Sequence, residues 1–89
     1  MKKEIIFLKS QGDARLAELV HEGNNAAFDV LMERHSPHLK KFLHHLLHHN
    51  TNEKDALQSI WLAVLTELRR NHYRENGQFT GWLNKIAYN

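Results

Sequence analysis

The stretch Asp55-Ala56-Leu57-Gln58-Ser59-Ile60-Trp61-Leu62-Ala63-Val64-Leu65-Thr66-Glu67-Leu68 decides the fold class. Leu57, Ile60, Trp61, Val64, Leu65 and Leu68 recur at intervals of three and four, which gathers them on one face of an α-helix. Thr51 or Asn52 can cap its start, and Glu53 and Asp55 suit the positive end of the helix dipole. Arg69 and Arg70 suit the negative end.

The same period extends outward. Upstream, Phe28, Leu31, Met32, His35, Leu39, Phe42, Leu43, Leu46 and Leu47 stay in phase across Pro37, the sole proline. Proline removes a backbone donor and disfavours helix at Ser36, so this segment reads as one kinked helix or two nearly coaxial ones. Gly23 with Asn24-Asn25 is a stop and restart signal. Between Gly12 and Gly23, Leu16, Leu19 and Val20 share a face, with Asp13 as the expected N-cap. Downstream, Asn71 to Gln78 is a polar loop and a last helix begins near Thr80. Trp82, Ile86 and Asn89 share its face, flanked by Leu83 and Ala87, and Trp82 is expected in the core. The amphipathic pattern reaches Asn89 with no Gly or Pro to close it, so the expectation is a domain truncated at its C-terminal end. No segment alternates with the period of a strand. The expected fold is all-α, a compact bundle of four to five helices, with residues 1–12 an N-terminal extension and residues 13–89 the helical domain.

Composition narrows the function. A chain of 89 residues makes one small domain, which buries roughly 60–65% of its unfolded surface. It has no Cys, hence no disulfide or thiolate metal site, and this fits the expected cytoplasmic compartment. Ile5-Ile6-Phe7-Leu8 is too short to span a bilayer, so no membrane insertion is expected. The net charge of +2 is mild and matters for nucleic acid only where it clusters. No phosphate loop, HExxH motif or nucleophile with base and orienter stands out, so an enzyme is not expected. The sequence holds eight His. His44/His48 and His45/His49 have the i, i+4 spacing that can chelate Zn, Ni or Cu from one helix, and His38 aligns with His45 and His49. No carboxylate or Cys is placed with them in sequence, so they read as a polar helix flank and no metal or other cofactor is expected. His35 lies in the apolar stripe and reads as a packed, hydrogen-bonded imidazole.

The order of these signals resembles the second conserved region of bacterial sigma factors, in the compact form of the extracytoplasmic-function group. Gly23-Asn24-Asn25-Ala26-Ala27-Phe28 resembles the family's Gly-Asp-x-x-Ala-Phe opening. Asp55-Ala56-Leu57-Gln58-Ser59-Ile60-Trp61-Leu62 resembles its Asp-apolar-apolar-Gln-acid-x-aromatic-apolar segment. Phe79-Thr80-Gly81-Trp82-Leu83 and Ile86-Ala87-Tyr88-Asn89 resemble its Phe-x-x-Trp-Leu and Ile-Ala-x-Asn. Ser59 stands where the family usually has a carboxylate, and Asn24 where it has Asp. The family's basic stretch after this point and its fourth region, a helix-turn-helix domain, are not in the sequence.

The resemblance implies a transcription initiation factor domain that recognises and melts the promoter −10 element. Asp55, Gln58, Ser59 and Leu62 would dock on the clamp coiled coil of the β′-type subunit of core RNA polymerase. On the residues alone, the favoured reading makes Asp55 a helix-end acid and Gln58 a solvated amide, while Leu57 and Leu62 read as apolar contact or as core. Arg70, His72, Tyr73, Arg74, Asn76, Gln78, Lys85, Tyr88 and Asn89 would hold the non-template strand of promoter DNA. Cations suit phosphates there and flat rings suit unpaired bases, at roughly 1–3 kcal/mol per stacked base. The bland reading of that segment is a solvated helix end. The alternative function is a helical interaction module that docks polymerase or an anti-sigma partner without DNA activity of its own.

Overall fold

A computed structural model describes residues 2–47, 52–70 and 78–88. His48, His49, Thr51, His72, Tyr73, Arg74, Asn76 and Asn89, all named above, lie outside the described residues. Five helices account for nearly all of what is described: α1 (Lys2–Lys9), α2 (Asp13–His21), α3 (Asn25–Leu47), α4 (Glu53–Arg69) and α5 (Phe79–Tyr88). Among the described residues there is no strand, as the missing period-two pattern requires. The fold is an all-α bundle.

The turn between α2 and α3 shows why the chain breaks there. Glu22 ends α2 and Gly23 takes φ 99°, the left-handed conformation that glycine adopts without a Cβ clash. The N–H of Gly23 donates to the Val20 carbonyl and that of Asn24 to the Leu19 carbonyl, the paired bonds that close a helix. Asn24 Oδ1 then accepts from the Ala27 N–H at 3.1 Å and caps α3. Asp13, expected as the cap of α2, is instead its first helical residue; Gly12 caps without a side-chain bond. The Asp13 carboxylate is drawn away from its own helix end by Arg34 Nη1 and His35 Nε2, each at 2.9 Å. A charge-assisted pair from another helix outweighs a local cap.

α3 is a single helix that runs through Pro37 for 23 residues, so the reading as one element holds. The bond that Pro37 cannot donate belongs to the Glu33 carbonyl, one turn earlier. Both residues are exposed, so water can serve that carbonyl.

The core is one cluster fed by every helix: Leu8 from α1; Leu16, Ala17 and Val20 from α2; Ala27, Phe28, Val30, Leu31, Leu39 and Leu43 from α3; Ile60, Trp61, Val64 and Leu68 from α4; Phe79 and Leu83 from α5. Trp61 sits edge-on to Phe28, ring centroids 5.8 Å apart, and its Nε1–H donates to Ser36 Oγ at 3.1 Å. The polar end of a buried indole is thereby satisfied. Among the described residues no buried side-chain nitrogen or oxygen lacks a partner. Residues 2–9, read as part of an extension, form a helix that buries Leu8 while Ile5, Ile6 and Phe7 stay 45–68% exposed. Arg34 Nη2 donates to the Lys9 carbonyl at 3.2 Å and ties this helix to α3. None of the helices in the described residues is long and apolar enough to cross a membrane.

Leu31 is fully buried, so Leu31→Ala should cost about 2–5 kcal/mol in a urea unfolding titration. Gly23→Ala should cost roughly 1–2 kcal/mol, because the turn holds a left-handed residue.

Candidate polymerase and nucleic-acid faces

Two exposed faces carry the residues that the sequence singles out. The first is on α4. Asn52 caps this helix: its Oδ1 accepts from the Asp55 N–H at 3.3 Å, and its Nδ2 donates to Asp55 Oδ2 at 3.0 Å. Asp55 thus carries the helix-end role of the bland reading, yet it stays exposed with further lone pairs to offer. Asp55, Gln58, Ser59 and Leu62 follow at i, i+3, i+4 and i+7, and all four are exposed. Leu62 is 66% exposed while its neighbour Trp61 is 5% exposed, so adjacent apolar residues divide between surface and core. Leu57 joins the core edge. Phe28, Met32, Ser36, Leu57, Trp61 and Leu65, with Gln58 and Leu62, line an open groove between α3 and α4. Its floor is apolar and its polar handles are few, the composition of an interface centre.

The second face is on α5. Phe79 and Leu83 are buried; Trp82 is half-buried and packs against the core with Ile86 and Ala87. The helix therefore turns Phe79/Leu83 inward, and Trp82, expected in the core, packs against it from the edge. The reason is Phe79, which meets the His35 ring with centroids 5.1 Å apart and sets the rotation of the helix. His35 itself is buried and hydrogen-bonded to Asp13, as its place in the stripe predicts. The outward side of α5 carries Gly81, Lys85 and Tyr88, which with Asn84 line a shallow hollow. Tyr88 is 70% exposed. Gln78 is exposed, and its carbonyl accepts the Trp82 N–H at 3.1 Å in the first turn. Arg70 is exposed at the C-cap of α4. His21 Nδ1 bonds the Arg69 carbonyl at 2.9 Å, which braces that helix end against α2.

The structure brings Asp55, Gln58, Ser59 and Leu62 together, and brings Lys85 and Tyr88 together. His72, Tyr73, Arg74, Asn76 and Asn89 lie outside the described residues. Two contacts were not legible in the sequence. His38 Nε2 meets Asn84 Oδ1 at 3.1 Å, and the Phe42 ring lies 5.5 Å from Tyr88. A second finding corrects the reading of the His cluster. His44 Nδ1 lies 3.1 Å from Glu53 Oε1, so a carboxylate does stand beside it, supplied by the start of α4. Among the described residues no group of three or more His, Cys, Asp or Glu is arranged to hold a metal ion.

Leu62→Ala should leave stability within about 0.5 kcal/mol of wild type, since it removes no buried contact. Trp61→Ala should cost about 3–5 kcal/mol. Urea titrations of the two variants check both values.

No family model matches the chain, and no solved structure matches it. In sequence it is similar to RNA polymerase sigma factor CarQ of Myxococcus xanthus: 32% identical over 72 residues, which is 81% of this chain and 40% of that protein. The chain thus spans well under half the length of the relative it matches. Over four-fifths of its own length, this chain is therefore similar in sequence to an RNA polymerase sigma factor.

Proposed function

We propose that this chain is a sigma-factor domain of the region 2 type, comprising residues 13–89. In transcription initiation it docks on core RNA polymerase and takes up the non-template strand of the promoter −10 element. It acts in the cytoplasm, where polymerase works. The observation that carries this reading is the pairing of two solvent-facing surfaces on separate helices of a sigma-factor relative: Asp55, Gln58, Ser59 and Leu62 on α4, and Lys85 and Tyr88 on α5.

The α4 face suits a polar partner. Gln58 and Ser59 offer donors and acceptors, Asp55 offers a charge, and Leu62 with the adjoining groove offers apolar area. Such a mixture favours a wet interface whose specificity is set by charge and hydrogen bonds. The clamp coiled coil of the β′-type subunit is the proposed partner. The α5 face suits a single strand. Lys85 neutralises phosphate and Tyr88 presents a ring on which an unpaired base stacks. Capture of an extruded base offsets the cost of unpairing it, which is how a small domain helps melt a duplex. With few contacts, affinity for DNA alone is weak and depends on salt.

A second reading has its own support. The groove beside Leu62 is a protein-docking surface in character, and it serves equally a module that binds polymerase or an anti-sigma partner without touching DNA.

One experiment separates the two. Polymerase capture and anisotropy with single-stranded −10 oligonucleotides are measured on Gln58→Ala/Leu62→Ala and on Gln78→Ala/Lys85→Ala. The first variant should lose polymerase about tenfold or more, the cost of roughly 1.4 kcal/mol in an interface. The second should lose oligonucleotide binding and keep polymerase. Weak, salt-independent binding to every oligonucleotide by the wild type would leave only the docking module standing.

A further inference from the structure

We infer that the flank of α3 from His38 to His45 is a second wall of the α5 nucleic-acid surface, binding the backbone of the single strand whose base stacks on Tyr88. This rests on the nucleic-acid reading of α5 and adds residues to it that lie on a different helix.

Three observations carry it. First, α5 lies along the C-terminal half of α3 in register. Phe79 meets His35, Asn84 meets His38 and Tyr88 meets Phe42, so both numbers rise together and the two helices run in the same sense. Second, His38, Lys41 and His45 occupy i, i+3 and i+7, a single helical row, and all three are exposed. Phe42 adjoins that row, half-buried beneath Tyr88. Third, charge is segregated. From Arg34 to Leu47 the chain contains no Asp or Glu, so no acid on this half of α3 opposes a phosphate. Among the described residues, two carboxylates bond to this segment: Asp13 of α2 pairs with Arg34 and His35 ahead of the row, and Glu53 of α4 pairs with His44, one residue off it.

The roles differ. Lys41 carries the charge that replaces a phosphate counterion, and His45 adds a ring N–H donor beside it. Phe42 is a positioning residue: at 5.5 Å and a 59° tilt it packs against the Tyr88 ring, which stays 70% exposed and so accessible to a base. His38 is a positioning residue for Asn84, whose amide lines the hollow with Lys85.

The test is anisotropy with a labelled single-stranded deoxyoligonucleotide across a potassium chloride series, with thermal melts on each variant. Lys41→Gln should lower the slope of log affinity against log salt by about 0.7, the value of one phosphate contact on a single strand. Phe42→Leu should weaken binding about fivefold at every salt concentration without changing that slope, and Phe42→Tyr should restore it. Lys3→Gln, which removes the same charge from α1, should bind as wild type. The inference falls if Lys41→Gln or a normally melting Phe42→Leu binds as wild type while Lys85→Gln or Tyr88→Leu does not. In that case the α5 reading survives. If the wild type shows no salt-dependent binding, both readings fall together.

Discussion

Each of the other four helices leans on α3, whose buried stripe runs from Ala27 to Leu43. α1 reaches it through the bond from Arg34 to the Lys9 carbonyl, α2 through Asp13, α4 through the Trp61–Ser36 bond, and α5 through Phe79, Asn84 and Tyr88. That arrangement requires α3 to pass Pro37 as one element. A break there would part the contacts made before the proline from those made after it. The proline is tolerated because it stands on the exposed side, where a carbonyl without its helical donor still meets water.

The histidines serve this same packing. Four described ones bond to a different helix: His21 to the Arg69 carbonyl, His35 to Asp13, His38 to Asn84 and His44 to Glu53. Read along one helix, His44 and His45 show only the spacing of a chelating pair. Read across helices, His44 is a polar brace. Each of these bonds is worth about 0.5–1.5 kcal/mol, and their value lies more in fixing helix rotation than in stability. The rotation of α5 is the clearest case, since the His35–Phe79 contact decides which of its residues face outward.

The division between fold and function runs between neighbours. Trp61 is core and Leu62 is surface; Leu83 is core and Lys85 is surface. Asp55 belongs to both, since it completes the Asn52 cap and still faces solvent. A residue of that kind ties the geometry of the α4 face to the integrity of its first turn.

The stripe from Leu57 to Leu68 and the Gly23 turn were legible in the sequence, which also narrowed the α4 cap to Thr51 or Asn52 and the segment across Pro37 to one helix or two; the structure has Asn52 and one helix. Each depends on spacing within a few residues, and helical period and cap chemistry are local. The polar side of α4 with Asp55 and Gln58 was legible for the same reason, whereas Leu62 read equally as contact or core until the structure left it exposed. What only the tertiary structure decided is everything that depends on two helices at once. Asp13 leaves its cap for Arg34 and His35, α5 buries Phe79 and Leu83 fully and Trp82 only in part at the core edge, and Phe42 and His38 stand beside Tyr88 and Asn84. A helical period gives the angle between residues on one helix but not the rotation of one helix against another. That rotation is set by contacts between residues far apart in the chain, which no local pattern records.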